Sequence, residues 1–195
     1  MPEWLFEYVN PWTTPAAIVA STIALTWVLR IRGRNLAVVA LSAAVGVAMW
    51  QAWKSGPPNG LLDLQIYTNS ARAWLDGGSL YDYRDPTFNL SATYPPIGPL
   101  LFSVLTPLTA DGREVLFTAF NLLALFGCAW FVSGLARVTP TKRFEWSAWV
   151  FAVSTVTIPV WLTLRQGQIN LLIWLLVLAD LDALRRSRRF AGIAI

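Results

Sequence analysis

The chain has 195 residues, of which 55% are hydrophobic and only 13% are charged, and its formal net charge is +4. Soluble domains carry about a quarter charged residues, so this composition predicts an integral membrane protein. The sequence contains no histidine and a single cysteine, which excludes imidazole catalysis, a disulfide framework and the common zinc sites. Most Lys and Arg residues fall in three short clusters beside apolar runs, which is a signal of membrane topology and does not indicate nucleic-acid binding.

A transmembrane hairpin is predicted within residues 1–53. Residues 15–29, with the aromatic lead-in before them, and residues 35–53 each approach the roughly 20 residues that a membrane span needs. The tip between them carries Arg30, Arg32 and Arg34. The positive-inside rule places this tip in the cytoplasm, so the loop that follows the hairpin is predicted to lie outside.

Residues 54–114 are predicted to form an external loop of the kind that carries catalytic residues. Within it, residues 61–75 have the pattern of an amphipathic helix lying on the outer membrane surface. The apolar stripe of this helix consists of Leu64, Tyr67, Ala71, Trp74 and Leu75. Asp63, just outside a span, could act as a general base toward a hydroxyl group, and it could also be the N-cap of the helix.

Residues 86–110 are uncharged but interrupted by prolines. The triplet Tyr94-Pro95-Pro96 predicts an extended entry into a short apolar helix. If this segment crossed the bilayer, the two later basic clusters would lie outside. If it only dips into the membrane or lies on its surface, all three clusters lie inside, so the positive-inside rule favours the second arrangement.

Residues 115–195 are predicted to contain three spans, at 115–136, 146–164 and 169–184. The turn between the last two is predicted to face outward and carries Arg165, Gln166, Gln168 and Asn170. Polar groups at membrane depth are costly and usually face a cavity or a partner. A guanidinium there could hold a lipid phosphate by a bidentate contact, although a plain interhelical turn is an equally good interpretation.

A metal site is not predicted. Asp180-Leu181-Asp182 matches the D-x-D pattern of metal-dependent nucleotide-sugar transferases. These carboxylates lie at the predicted cytoplasmic end of a span beside Arg185 and Arg186, with which they are expected to pair.

The order of several short motifs resembles glycosyltransferase family 87 of the GT-C superfamily. These motifs are Asp63-x3-Tyr67, Leu75-Asp76-Gly77-Gly78-Ser79-Leu80-Tyr81, Thr93-Tyr94-Pro95-Pro96, Gly167-Gln168-Ile169-Asn170 and Arg189-x2-Gly192. The resemblance implies an all-α, polytopic membrane enzyme with about five transmembrane helices and additional external juxtamembrane helices. It also implies a catalytic aspartate in the first large external loop, the position that Asp63 occupies.

The resemblance further implies a function and a set of site residues. A hexose, mannose by resemblance, would pass from a polyprenyl-phosphate-linked donor to a glycolipid acceptor at the outer face of the cytoplasmic membrane, without a cofactor. Asp63 would be the base, and Arg165 would meet the charge of the leaving phosphate. The expected substrate-binding residues are Tyr67, Tyr94, Arg165, Gln166, Gln168 and Asn170.

Two other functions are compatible with parts of the sequence. Members of the family are longer than this chain, so the chain is expected to be an N-terminal half that lacks the C-terminal half. A non-catalytic or truncated membrane subunit that binds a polyprenyl lipid or a partner protein is therefore the alternative. A small transporter is disfavoured, because transport pathways usually carry intramembrane charges and these are nearly absent.

Overall fold

A computed structural model describes residues 33–54 and 61–186 of the chain. These residues form seven helices: α1 (Arg34–Lys54), α2 (Leu62–Leu75), α3 (Ile97–Ser103), α4 (Ala110–Leu135), α5 (Pro140–Thr155), α6 (Ile158–Gln166) and α7 (Asn170–Arg185). Within the described ranges there is no strand, only an isolated antiparallel bridge between Arg84 and Ser91. The predicted all-α class is confirmed, whereas the predicted span at residues 15–29 lies outside the described residues.

The helices of the described part differ in their capacity to cross a membrane. By length and composition, α4 could cross alone, and it begins at Ala110, earlier than the predicted residue 115. Helices α5 and α6 pass the same test only as a pair bent by 74°. The segment Arg34–Ala48 of α1 is apolar but shorter, and α7 has 16 residues. The number of five spans therefore stays a prediction.

The stretch predicted as a single span at residues 146–164 is a broken helix. Helix α5 ends at Thr155, and Thr157 precedes the first residue of α6 in an extended conformation. Pro159 is the second residue of α6. Proline has no N–H for the i→i−4 hydrogen bond and its ring clashes with the preceding turn, so it starts a helix readily but interrupts one that would continue through it.

The main core lies where α1, α4, α5, α6 and α7 meet. Helix α1 contributes a buried stripe of alanines at helical spacing, namely Ala37, Ala40, Ala44 and Ala48. Small side chains allow the backbones of neighbouring helices to approach closely. Between α4 and α7, Gly127 leaves room for Leu175, because a Cβ on Gly127 would lie 2.6 Å from Leu175 Cδ1.

A second core joins α2, α3 and the first half of α4. Its buried members are Leu61, Leu64, Tyr67, Ala71, Phe102, Leu105 and Phe117. The predicted stripe of α2 is buried in its first three members, but Trp74 is 40% exposed and Leu75 is 58% exposed. The end of α2 therefore extends beyond the surface that its beginning packs against.

Arg185 joins the C-terminal ends of α4 and α7. Arg185 Nη1 donates hydrogen bonds to the carbonyl oxygens of Gly134 and Leu135, at 2.9 and 3.2 Å. Asp182 pairs with Arg186 at 2.8 Å, as the sequence predicted for this acidic segment. Because α7 runs from Asn170 to Arg185, these basic residues lie at the opposite end of the helix from the 167–170 turn, about 24 Å away at 1.5 Å per residue.

Candidate functional site

Asp63 lies in the first turn of α2, which is the amphipathic helix predicted from the sequence. The helix begins at Leu62 and its N-cap residue is Leu61, without a side-chain cap hydrogen bond. The interpretation of Asp63 as the N-cap is therefore wrong. Its position within the helix leaves the carboxylate free to point toward another part of the chain.

The 167–170 turn reaches α2 through a glycine. Gly167 ends α6 in the left-handed conformation, with φ of +72°. A Cβ at this position would lie 2.7 Å from Leu64 Cβ and 2.9 Å from Leu61 Cβ. Glycine is required here for two reasons, since it adopts positive φ without strain and it leaves room for the start of α2.

A chain of two hydrogen bonds links this turn to the carboxylate. Gln168 Nε2 donates to Asp63 Oδ2 at 2.6 Å, and Asn170 Nδ2 donates to Gln168 Oε1 at 2.8 Å. The second carboxylate oxygen, Oδ1, has no hydrogen bond to any other described residue. The hydrogen bond from Gln168 therefore holds the Asp63 carboxylate in one orientation.

The environment of Asp63 favours its neutral form. Burial raises the pKa of the carboxyl group above its ordinary value, and the hydrogen bond from Gln168 partly opposes this shift. Loss of water around a carboxylate disfavours its charge, whereas a donor stabilises it. A raised pKa brings a carboxylate closer to the range in which a general base works well.

Two tyrosines stack beside Asp63. The rings of Tyr67 and Tyr94 lie 3.9 Å apart between centroids and are nearly parallel, and Phe102 continues the stack at 5.4 Å from Tyr67. The Tyr67 hydroxyl shares a hydrogen bond of 2.7 Å with Thr93 Oγ1. Gly98 of α3 makes room for this arrangement, because a Cβ there would lie 2.7 Å from Tyr94 Cβ.

The surroundings of Tyr94 raise the pKa of its hydroxyl group. Burial, then the nearby Tyr67 and Asp63, raise the pKa of Tyr94 to about 12, against an opposing hydrogen bond with the Ile169 backbone. The hydroxyl therefore stays protonated at neutral pH and can serve as a hydrogen-bond donor. Tyr94 is placed between the carboxylate of α2 and the turn that precedes α7.

The two other predicted residues of the turn are placed differently. Arg165 lies in the last turn of α6, and its guanidinium is 5.1 Å from the centre of the Trp161 ring. Gln166 is the last residue of α6 and is half-buried. The structure thus groups Tyr67, Tyr94, Gln168 and Asn170 with Asp63 and places Arg165 over an indole ring.

Two cavities lie on either side of the turn. One, of about 260 Å³, is lined only by apolar side chains, among them Phe102, Phe117, Phe120 and Ile169. The other, of about 370 Å³, lies between α6 and α7 and is lined by Gln168, Asn170 and Trp174 together with apolar residues. Alternate residues of one turn therefore face an apolar cavity and a cavity with amide groups.

Asp85 is a polar residue whose role the sequence patterns did not reveal. It is 1% exposed, and its Oδ1 accepts hydrogen bonds from the backbone N–H groups of Thr87 and Phe88 at 2.9 and 3.1 Å. Asn69 of α2 and the Tyr83 hydroxyl reach its Oδ2 at 3.4 and 3.3 Å. The Asp85-Pro86 pair was a turn signal that could have identified it. Asp85 fixes the loop after α2 to that helix.

Among the residues that the structure describes, no group of three His, Cys, Asp or Glu side chains is placed to hold a metal ion. The polar groups around Asp63 are amides and hydroxyls, which suit hydrogen bonding to hydroxyl-bearing ligands.

Comparisons with known proteins place the chain in a family. A polyprenol-phosphate-mannose-dependent alpha-(1-2)-phosphatidylinositol mannoside mannosyltransferase of Mycobacterium tuberculosis is 33% identical over 154 residues, which cover 70% of this chain and 35% of the relative. A polyprenol-phosphate-mannose-dependent alpha-(1-2)-phosphatidylinositol pentamannoside mannosyltransferase of Mycolicibacterium smegmatis is 32% identical over 141 residues, covering 69% of this chain and 34% of the relative.

The chain thus spans about a third of the length of these curated relatives. No solved structure matches it significantly. Residues 92–195, more than half of the chain, match the model of Glycosyltransferase family 87, and this range includes Tyr94 and the 167–170 turn but begins after Asp63. On this match, supported by relatives at about one-third identity, the chain belongs to glycosyltransferase family 87.

Proposed function

We propose that the chain contains the general base of a membrane glycosyltransferase. This enzyme transfers a hexose from a polyprenyl-phosphate-linked donor to a lipid-linked acceptor. Mannose is the proposed sugar, because the relatives are named as polyprenol-phosphate-mannose-dependent mannosyltransferases. The observation that carries the proposal is the Asp63 carboxylate, whose Oδ2 is held by Gln168 at 2.6 Å and whose Oδ1 has no hydrogen bond to any other residue that the structure describes.

The proposed reaction uses Asp63 as the general base. Asp63 accepts the proton of an acceptor hydroxyl, and the hydroxyl oxygen attacks the anomeric carbon of the donor sugar. The bond from this carbon to the phosphate oxygen breaks, and polyprenyl phosphate leaves with the bonding electrons. A single displacement of this kind inverts the configuration at the anomeric carbon. Hydrogen-bond donors near the reacting centre, such as the Tyr94 hydroxyl, can stabilise the oxygen atoms that gain negative charge.

The apolar cavity supports a lipid-linked donor. Phe102 belongs both to the lining of this cavity and to the aromatic stack that contains Tyr67 and Tyr94. An apolar chain in the cavity would therefore end near the hydroxyl groups of the site. Burial of apolar surface contributes about 25 cal/mol for each Å², which makes such a cavity a suitable place for an isoprenoid tail.

The distribution of charge supports an outward-facing site. Arg143 and Arg185 bind backbone carbonyls near the end of α4, far from the 167–170 turn. If that basic end faces the cytoplasm, as the positive-inside rule requires, Asp63 and the turn lie at the outer face. Cysteines introduced at positions 63 and 166 should then be labelled from the same, outer side. Labelling from opposite sides would refute this topology.

The proposal is tested with Asp63→Asn in membranes that contain the chain. Asparagine keeps the shape and can still accept from Gln168, but it cannot take the proton. Because general-base catalysis typically contributes about 10²–10⁴-fold, transfer of labelled mannose should fall by about that factor while the protein still inserts. Asp82→Asn, at an exposed aspartate of the same loop, is the control and should retain activity. Full activity in the Asp63 variant would remove Asp63 as the base.

A non-catalytic lipid-binding subunit is the second candidate function. It is favoured by the apolar cavity, which could bind a polyprenyl chain without any chemistry. An assay of the 195-residue chain with labelled polyprenyl-phosphate mannose separates the two. Binding without transfer would support the subunit, and transfer would exclude it.

A further inference from the structure

Trp174 lies on the same cavity as the amides that orient Asp63. It follows Asn170 by four residues in α7, so both side chains lie on one face of the helix. The cavity between α6 and α7 has a volume of about 370 Å³, within the usual size of ligand sites, and its lining includes Gln168, Asn170 and Trp174. Trp174 is 61% exposed, a large apolar surface next to a polar network.

The hydrogen bonds that join Asp63, Gln168 and Asn170 determine which donor and acceptor groups remain for a ligand in the cavity. Gln168 must direct its N–H group to the carboxylate, since a carboxylate is an acceptor, and its carbonyl oxygen then faces Asn170. This fixes the order of donors and acceptors along the chain of side chains. The exposed Asn170 amide stands at its outer end, with further hydrogen-bonding capacity for a ligand.

A flat aromatic ring beside fixed amides suits a pyranose. The C–H groups of one sugar face pack against an indole, while the hydroxyl groups at the ring edge bond to amides. The cavity therefore has the two kinds of surface that a sugar needs, whereas the cavity on the other side of the turn has only the apolar kind. An indole used only as a membrane-interface anchor would need no amides beside it.

We infer that Trp174 and Asn170 form a sugar-binding subsite in which the indole stacks against a hexose ring and holds it beside Asp63. The inference rests on the proposed function, since it assigns a subsite to the same reaction. It makes Trp174 a residue that positions a sugar and helps to select it. The sugar can belong to the donor or to the acceptor, and the two sources are separable by experiment.

The test compares binding of matched lipid pairs to the full chain in nanodiscs. One pair is polyprenyl-phosphate mannose and polyprenyl phosphate, and the other is a phosphatidylinositol mannoside and phosphatidylinositol. Trp174→Ala should weaken binding of the mannose-bearing member of one pair by about three- to tenfold and leave its sugar-free member unchanged. The affected pair identifies the donor or the acceptor as the source of the sugar, and Trp174→Phe should restore most of the loss.

The control is Trp146→Ala in α5, because Trp146 is 54% exposed but does not line the cavity. Equal losses for the sugar-bearing and sugar-free lipids in Trp174→Ala would identify a lipid anchor and overturn the inference. Unchanged binding of all four lipids would overturn it as well. If the unmodified chain binds none of these lipids, the proposed function fails and the inference fails with it, a result distinct from both others.

Discussion

Replacement of Gly167 by alanine is expected to separate the two halves of the site. The new Cβ would stand 2.7 Å from Leu64 Cβ and 2.9 Å from Leu61 Cβ, closer than carbon atoms pack in proteins. Neither neighbour is the flexible end of a long side chain, since both contacts are to Cβ atoms, which are fixed to the backbone of Leu64 in α2 and of its N-cap residue Leu61. The turn must therefore move away from the helix, and Gln168 moves with it.

The expected loss of stability in Gly167→Ala has two contributions. A non-glycine residue in the left-handed region costs about 1–2 kcal/mol. Overpacking of a fixed contact costs about a further 1–3 kcal/mol. Gly167→Ala should then lower the free energy of unfolding by about 2–5 kcal/mol. Because the shift also lengthens the 2.6 Å bond from Gln168 to Asp63, transferase activity should fall by more than the loss of folded protein explains.

A matched variant separates strain from packing. Gly77 has φ of +88° and nothing within 4 Å of an added Cβ, so Gly77→Ala carries the strain alone and should cost about 1–2 kcal/mol. The measurement is chemical unfolding of both variants in detergent, with mannosyl transfer measured in membranes. Equal destabilisation of the two variants, with full activity at Gly167→Ala, would refute the close packing of the turn on α2.

Two further predictions concern the ionisation of Asp63 and the loop that follows α2. Asp63 must be ionised to act as a base, and its pKa is raised by burial, so activity should fall as the pH falls through that raised pKa. Gln168→Leu removes a bond that favours the ionised form and should move this acidic limb to higher pH, while Gln166→Leu should leave it in place. Stability should change in the opposite direction, because a raised pKa means that ionisation of Asp63 lowers stability as the pH rises from the ordinary carboxyl pKa through the raised one. Asp85→Ala removes the acceptor of two backbone N–H groups and should cost about 1–3 kcal/mol, with faster hydrogen exchange at residues 87 and 88 and no such change in Asp82→Ala.

Local patterns were sufficient for the elements around the site. The stripe of apolar residues predicted a helix over residues 61–75, and α2 runs from Leu62 to Leu75. The prolines after Tyr94 predicted a short helix, which is Ile97–Ser103. Both predictions succeeded because the periodicity of side chains and the restrictions imposed by proline act over a few neighbouring residues.

The sequence patterns did not predict the break between α5 and α6 or the contacts between residues that are far apart in the chain. Hydropathy over residues 146–164 measures how apolar a segment is, and it does not show that the backbone bends by 74° before Pro159. The bond between Asp63 and Gln168 joins residues 105 positions apart, and no local pattern encodes such a pair. The resemblance to the family brought both residues to one site but did not specify the bond. The phosphate contact expected of Arg165 stays a prediction, and its guanidinium lies 5.1 Å from the centre of the Trp161 ring.

The position of Gly167 has a consequence for the order in which the chain matures. During synthesis, α2 emerges long before residue 167 has been made, so Leu61 and Leu64 lack their contact with the α6–α7 turn at that stage. The newly made helix can bury its apolar face at the boundary between lipid headgroups and acyl chains, where amphipathic helices bind. Assembly of the carboxylate with its amide partner is then a late event in biogenesis, completed only after the α6–α7 turn leaves the ribosome. Nascent chains that stop before residue 167 should accumulate with α2 on the membrane surface and without the Asp63–Gln168 bond.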